Sequence, residues 1–144
     1  MSLEWIHESP PHWDRQKERI VGGVPEGSVQ IGPYAEGELI SGEWWRVERD
    51  GEVAGYGWMD AVWGDGEILL AVDPSLQRTG VGDFILARLE AEAAARGLNY
   101  LYNVVPGNHP DRAGIKRWLE GHGFQSQPDG RLMKRVTNPA AAAD

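Results

Sequence analysis

The 144 residues, 41% of them hydrophobic and none a cysteine, suffice for one packed domain and exclude a disulfide framework, a thiol nucleophile and a thiolate metal site. A formal charge of −8 argues against general nucleic-acid binding, whose affinity rests on neutralising phosphates. No apolar run approaches membrane-spanning length and the N-terminus lacks a basic-then-apolar signal, so a soluble cytoplasmic protein is expected. The charge is uneven: residues 1–75 carry 15 acidic and 5 basic side chains, residues 76–144 carry 7 and 9. That asymmetry suits a polyanion on the C-terminal half and a cation gathered by the N-terminal half, although solubility accounts for most of these carboxylates.

In chain order, residues 3–7 read as a short strand. Ser9-Pro10-Pro11 then offers a helix start with Ser9 as cap, and Trp13, Lys17, Ile20 and Val21 line one side of a short helix ending at Gly22-Gly23. Residues 24–42, rich in glycine, read as loop or irregular strand. Residues 43–49, the dipeptide Asp50-Gly51 and residues 52–63 carry a hairpin signal, and the second strand places Tyr56 and Trp58 on one face. Trp44 and Trp45, being adjacent, point to opposite faces. A turn at Trp63-Gly64-Asp65-Gly66 leads into the apolar run 68–72, a buried strand stopped by Asp73-Pro74.

The loop Gln77-Arg78-Thr79-Gly80-Val81-Gly82 follows, and Asp83 opens a helix with Phe84, Ile85, Leu86, Leu89 and Ala93 on its apolar stripe. Glu92 and Arg96 have favourable pair spacing, and Gly97 sits where a left-handed stop belongs. Residues 99–105 read as a strand. Residues 110–122 read as a helix with Ile115, Trp118 and Leu119 apolar. A last hairpin turns about Asp129-Gly130. Residues 1–137 thus form one α/β domain, followed by a disordered tail at 138–144.

The strand, glycine loop and helix from 67 to 97 are suited to anion capture. A helix N-terminus leaves about four backbone N–H groups without helical partners, and its dipole favours negative charge. Gly80 and Gly82 remove side chains that would hold a phosphate away. The dinucleotide fingerprint GxGxxG fails, because Ile85 stands at its third glycine, and no GK[ST] phosphate loop is present.

VDPSLQRTGVG resembles the acetyl-CoA signature of the GNAT N-acetyltransferase superfamily, V-x-P-x-x-[QR]-[QR]-x-G-[IV]-[GA], matching at Val72, Pro74, Gln77, Arg78, Gly80, Val81 and Gly82. The resemblance implies a mixed, mostly antiparallel twisted sheet flanked by helices. It implies that the loop amides from Arg78 through Thr79 to Gly82 hold the CoA pyrophosphate. It further implies that Leu70, Ala71 and Val72 pair with the pantetheine arm and supply an N–H to the developing oxyanion, and that the cofactor enters where the strands before and after the central helix splay apart. Dimers are frequent in that superfamily, so a homodimer stays open.

Two departures touch the chemistry. Relatives commonly carry N-x-x-A-x-x-[LF]-Y-x-x-x-G-F, whose tyrosine protonates the CoA sulfur. Counting back from Gly123-Phe124 puts Trp118 at [LF] and Leu119 at the tyrosine. His122, one turn on, is the substitute acid, with water as the alternative. Relatives that modify protein N-termini tend to carry L-E-V in the strand. Here Tyr102-Asn103-Val104 stands there, which lowers the odds of that subclass, while Asn108 falls on the asparagine that bonds the pantetheine amides. Glu67 is the candidate base, with Asp65 and Asp60 behind it. Tyr56 and Trp58, with nearby carboxylates, suit an amine or cation. His7 and His12 lack partner ligands, and no metal site is expected.

The expected activity is acetyl transfer from acetyl-CoA to a primary amine of a small or cationic acceptor by direct attack, in keeping with the absence of cysteine. The rival is a non-catalytic acetyl-CoA-binding module that regulates a protein partner. A third reading, protein acetylation, calls for an open acceptor groove.

Overall fold

Alternating side chains and tight turns lay down a meander, and the computed structural model describes it over residues 2–21, 35–105 and 112–136. Among these residues seven strands form one sheet, β1 (Leu3–Glu8), β2 (Glu43–Arg49), β3 (Glu52–Val62), β4 (Asp65–Val72), β5 (Tyr100–Asn103), β6 (Gln125–Ser126) and β7 (Leu132–Arg135). Their order is β1-β2-β3-β4-β5-β7-β6. Every neighbouring pair is antiparallel except β4 with β5, which is parallel. The helices are α1 (Arg15–Ile20), α2 (Val81–Ala95) and α3 (Arg112–Gly121). None is long and apolar enough to cross a membrane.

Two clusters hold the layers. On one face, Ile68, Ile85, Leu89, Leu101 and Leu119 are buried in a core that joins α2 and α3 to the sheet. On the other, Trp13, Ile20 and Val21 of the α1 region cover Trp44, Tyr56 and Ala71. Trp44 and Trp45 divide between the clusters as their adjacency predicts. Gly57 is required by close approach: a Cβ there would lie 2.9 Å from Trp5 and 3.0 Å from Ile85. The hairpin turn at Asp50-Gly51 has φ 53 and 84, the paired left-handed geometry that matches strand twist.

Several boundaries differ from expectation. Ser9 is not the helix cap; it precedes a cis peptide to Pro10, and the Asp14 carboxylate caps α1 by accepting the Lys17 N–H at 2.8 Å. The prolines push the start downstream because the chain needs a side-chain acceptor at the first free amides. Strand β4 begins at Asp65, so the turn is Trp63-Gly64 alone, and α2 begins at Val81 rather than Asp83. Gly97, with φ 71, ends α2 as predicted. The predicted tail lies outside the described residues.

Candidate functional site

The loop between β4 and α2 is built in three steps. Asp73 caps a single 3-10 turn, Pro74–Leu76, by accepting from the Ser75 amide at 2.9 Å and its hydroxyl at 2.8 Å. The Thr79 hydroxyl donates to the Leu76 carbonyl. Arg78 and Gly80 then take φ 66 and 92, and Gly80 is the N-cap of α2. Left-handed residues in such a turn direct successive amides into one concavity. No side chain caps α2, and its first intrahelical bond runs from the Phe84 amide to the Gly80 carbonyl at 3.0 Å. The amides of Val81, Gly82 and Asp83 therefore point outward from an exposed loop at the positive end of a helix dipole. Gln77 lies in this exposed loop as well.

Beside the loop the sheet opens. Pairing of β4 with β5 ends at Glu67↔Tyr102, and the Asn103 side chain donates to the Ile68 carbonyl at 2.8 Å as the strands part. Alternation along β4 turns the backbone groups of Leu70 and Val72 toward the gap and those of Ala71 toward β3. Of the three strand residues expected to meet the pantetheine arm, two face the opening. Asn108 lies outside the described residues.

On the opposite side of β4, Val21, Trp44, Tyr56, Trp58, Leu69 and Leu70 line a narrow cleft. The cleft thus joins the expected acceptor residues to the expected cofactor strand. Tyr56 is its floor, 2% exposed, with burial and then Asp14 and Glu8 pushing its hydroxyl pKa far up. Trp58 is the more accessible, held by its indole N–H on the Ser41 carbonyl at 3.1 Å. Glu67 pairs across the strands with Asp60 on one side and Tyr102 on the other. Burial first, then the Asp60 charge, raises its carboxyl above the usual range. A carboxyl so raised is suited to taking a proton.

His122 follows α3 and its ring nitrogen sits 2.9 Å from the Asp83 carboxylate in the first turn of α2. Its ring meets Trp118 edge-on at 4.8 Å, and Trp118 in turn packs over Gly82. Leu119 is 2% exposed in the core, so the position where relatives place tyrosine faces inward.

Sequence reading missed two features. Lys17, fully buried, meets Glu8 at 2.5 Å and Asp14 at 3.1 Å beneath α1, with its ammonium 5.0 Å from the Tyr56 ring centroid. Its place on the helix's apolar stripe was the available signal. Arg19 pairs with Asp73, tying α1 to the loop and holding that carboxyl below its usual range.

The sequence profile of the acetyltransferase (GNAT) family matches residues 4–123. Solved structures share the fold. The ribosomal-protein-S18-alanine N-acetyltransferase of Escherichia coli superposes with a TM-score of 0.57 at 16% identity, over 94% of this chain and 95% of that one. An N-acetyltransferase from Staphylococcus aureus Mu50 gives 0.54 at 20% identity, over 67% and 68%. The N-acetylglutamate synthase of Neisseria gonorrhoeae, solved with coenzyme A and N-acetyl-glutamate, gives 0.57 at 22%, over 66% of this chain and 26% of that one. No curated protein matches by sequence. With its signature loop on an uncapped helix start beside a splayed parallel strand pair, the chain belongs to the acetyltransferase (GNAT) family.

Proposed function

We propose that the protein is an acetyl-CoA-dependent N-acetyltransferase that acts on a primary amine of a small or cationic acceptor. The observation that carries this reading is the uncapped start of α2, preceded by left-handed Arg78 and Gly80 and set beside the open edge of β4. Acetyl-CoA supplies an activated acyl thioester. In this reading the amides of Val81, Gly82 and Asp83 hold its diphosphate, and the backbone of Leu70 and Val72 aligns its amide arm and polarises the acyl carbonyl. The acceptor amine enters the cleft beside Trp58, and Glu67 receives its proton through water. His122, held by Asp83 beside the diphosphate amides, stands at the far end of the pantetheine arm from the thioester, so in this reading water returns the proton to the departing sulfur.

A second reading, an acetyl-CoA-binding regulator without catalysis, is favoured by one observation: Leu119 is a core residue where relatives carry tyrosine. Release of free CoA from acetyl-CoA, with and without a panel of amines, polyamines, aminoglycosides and amino acids, separates the two. Amine-dependent release supports the transferase. Tight acetyl-CoA binding with no release for any amine supports the regulator, and absence of acetyl-CoA binding overturns both.

A further inference from the structure

The β3–β4 hairpin breaks two local rules in one place. Trp63 occupies the first turn position with φ 53, a conformation that suits asparagine or glycine, and it is 98% exposed. Asp60 and Glu67 stand directly opposite each other on one face, a like-charge pairing that destabilises a ladder. Val62 and Tyr100, on the same face through the pairs Val62↔Asp65 and Asp65↔Tyr100, are 36% and 40% exposed. From Glu52 to Val72 the hairpin carries Glu52, Asp60, Asp65 and Glu67 and no lysine or arginine. Among the described residues no basic side chain forms an ion pair with Asp60, Asp65 or Glu67; the arginines of this face lie beyond β5, Arg135 opposite Tyr100 on β7 and Arg131 over the Tyr102 ring. Local costs left uncompensated within a fold collect at functional surfaces.

We propose that this strip, anchored by Trp63 and running along β3 and β4 toward the cleft, is a docking surface for a basic polypeptide segment in extended conformation. Its length selects a polymer: the five residue-to-residue steps from Trp58 to Trp63 extend about 17 Å, beyond the reach of a small amine. Its charge selects a cation, because an ammonium or guanidinium between Asp60 and Glu67 relieves the repulsion that the hairpin otherwise bears. An exposed tryptophan is the side chain most often found as the energetic anchor of such contacts, and its ring face attracts cations. A second copy of the chain is disfavoured as occupant, since a two-fold contact sets the same acidic strip against itself. Nucleic acid and anionic lipid are disfavoured by the same sign of charge. The surface does not rest on the reading of the cleft.

The test uses the full chain and a fluorescein-labelled peptide of alternating lysine and leucine, about eight residues long so that it spans the strip. A matched peptide carries glutamate for lysine. The variants are Trp63→Asn, which suits the turn better than tryptophan, and Asp60→Asn with Asp65→Asn; thermal melts verify folding. Binding of the lysine peptide that weakens with salt, and weakens about tenfold or more in each variant, is expected. Failure of the lysine peptide to bind, equal binding by Trp63→Asn, or equal binding of the glutamate peptide overturns the proposal. Sedimentation showing a dimer that Trp63→Asn dissolves also overturns it, and gives the surface to a second copy.

Discussion

Gly80→Ala isolates the backbone geometry of the anion loop. Gly80 has φ 92, and a Cβ added there meets nothing within 4 Å, so the substitution introduces conformational cost and no clash. An L residue held in the left-handed region costs about 1–2 kcal/mol. If the loop keeps its shape, the cost appears as lost stability. If the loop relaxes to escape it, the amides of Val81 and Gly82 lose their aim and the cost appears in acetyl-CoA affinity, up to roughly 5–30-fold. Gly82→Ala is the counterpart. It sits in the first turn of α2, its Cβ would lie 3.4 Å from the Trp118 ring, an ordinary contact, and replacing glycine in a helix gains about 0.5–1 kcal/mol. Urea midpoints report stability and calorimetric titration with acetyl-CoA reports affinity. The two losses in Gly80→Ala should together reach about 1–2 kcal/mol, with Gly82→Ala at least as stable as the parent. A Gly80→Ala protein that matches the parent in both measurements, or a Gly82→Ala protein that loses as much stability, refutes the loop argument.

Lys17→Met leaves the buried Glu8 with only the Arg46 guanidinium, at 3.4 Å, and should cost about 1–3 kcal/mol in urea unfolding, with part recovered by adding Glu8→Gln; a neutral single variant would show that the pair contributes nothing. The raised Glu67 carboxyl binds its proton more tightly in the folded than in the unfolded state, so its charge destabilises at neutral pH and that cost fades as pH falls through the raised value. Glu67→Gln should therefore melt higher than the parent near pH 7, about the reference for neutral solution, with the difference shrinking on acidification; a gain that grows on acidification rejects the assignment. Asp73 is depressed, chiefly by the Arg19 hydrogen bond, so the stability Arg19 contributes is full above the ordinary carboxylate pKa and is lost as pH falls below about 4. Urea midpoints of Arg19→Ala and the parent should converge only in that acidic window; a difference that closes nearer neutrality contradicts the pairing.

Much of the frame was legible because its causes are local. Asp50-Gly51 specifies a turn by the φ values it tolerates, the stripe Ile85, Leu86, Leu89, Ala93 specifies a helix face by its period, and Gly97 specifies where that helix stops. The loop from Gln77 to Gly82 was readable for the same reason: small residues before a helix expose its first amides whatever surrounds them. Lys17 shows the limit. Its position on the stripe with Trp13 and Ile20 carried a signal for an inward side chain, but none for the Glu8, Asp14 and Tyr56 that meet it there.

What remained hidden depends on which distant segments become neighbours. Strand patterns carry no label for their partners, so neither the insertion of β7 between β5 and β6 nor the end of the β4–β5 ladder at Glu67↔Tyr102 is written in any one stretch. The opening beside Leu70 and Val72 exists only because those two strands diverge. His122 against Asp83, Trp118 over Gly82 and Arg19 on Asp73 are contacts between residues far apart in the chain, made where the α3 end, the α2 start and, from the other face, α1 meet the chain leaving the C-terminal end of β4. Local chemistry determines which side chains can serve, and packing determines which of them meet.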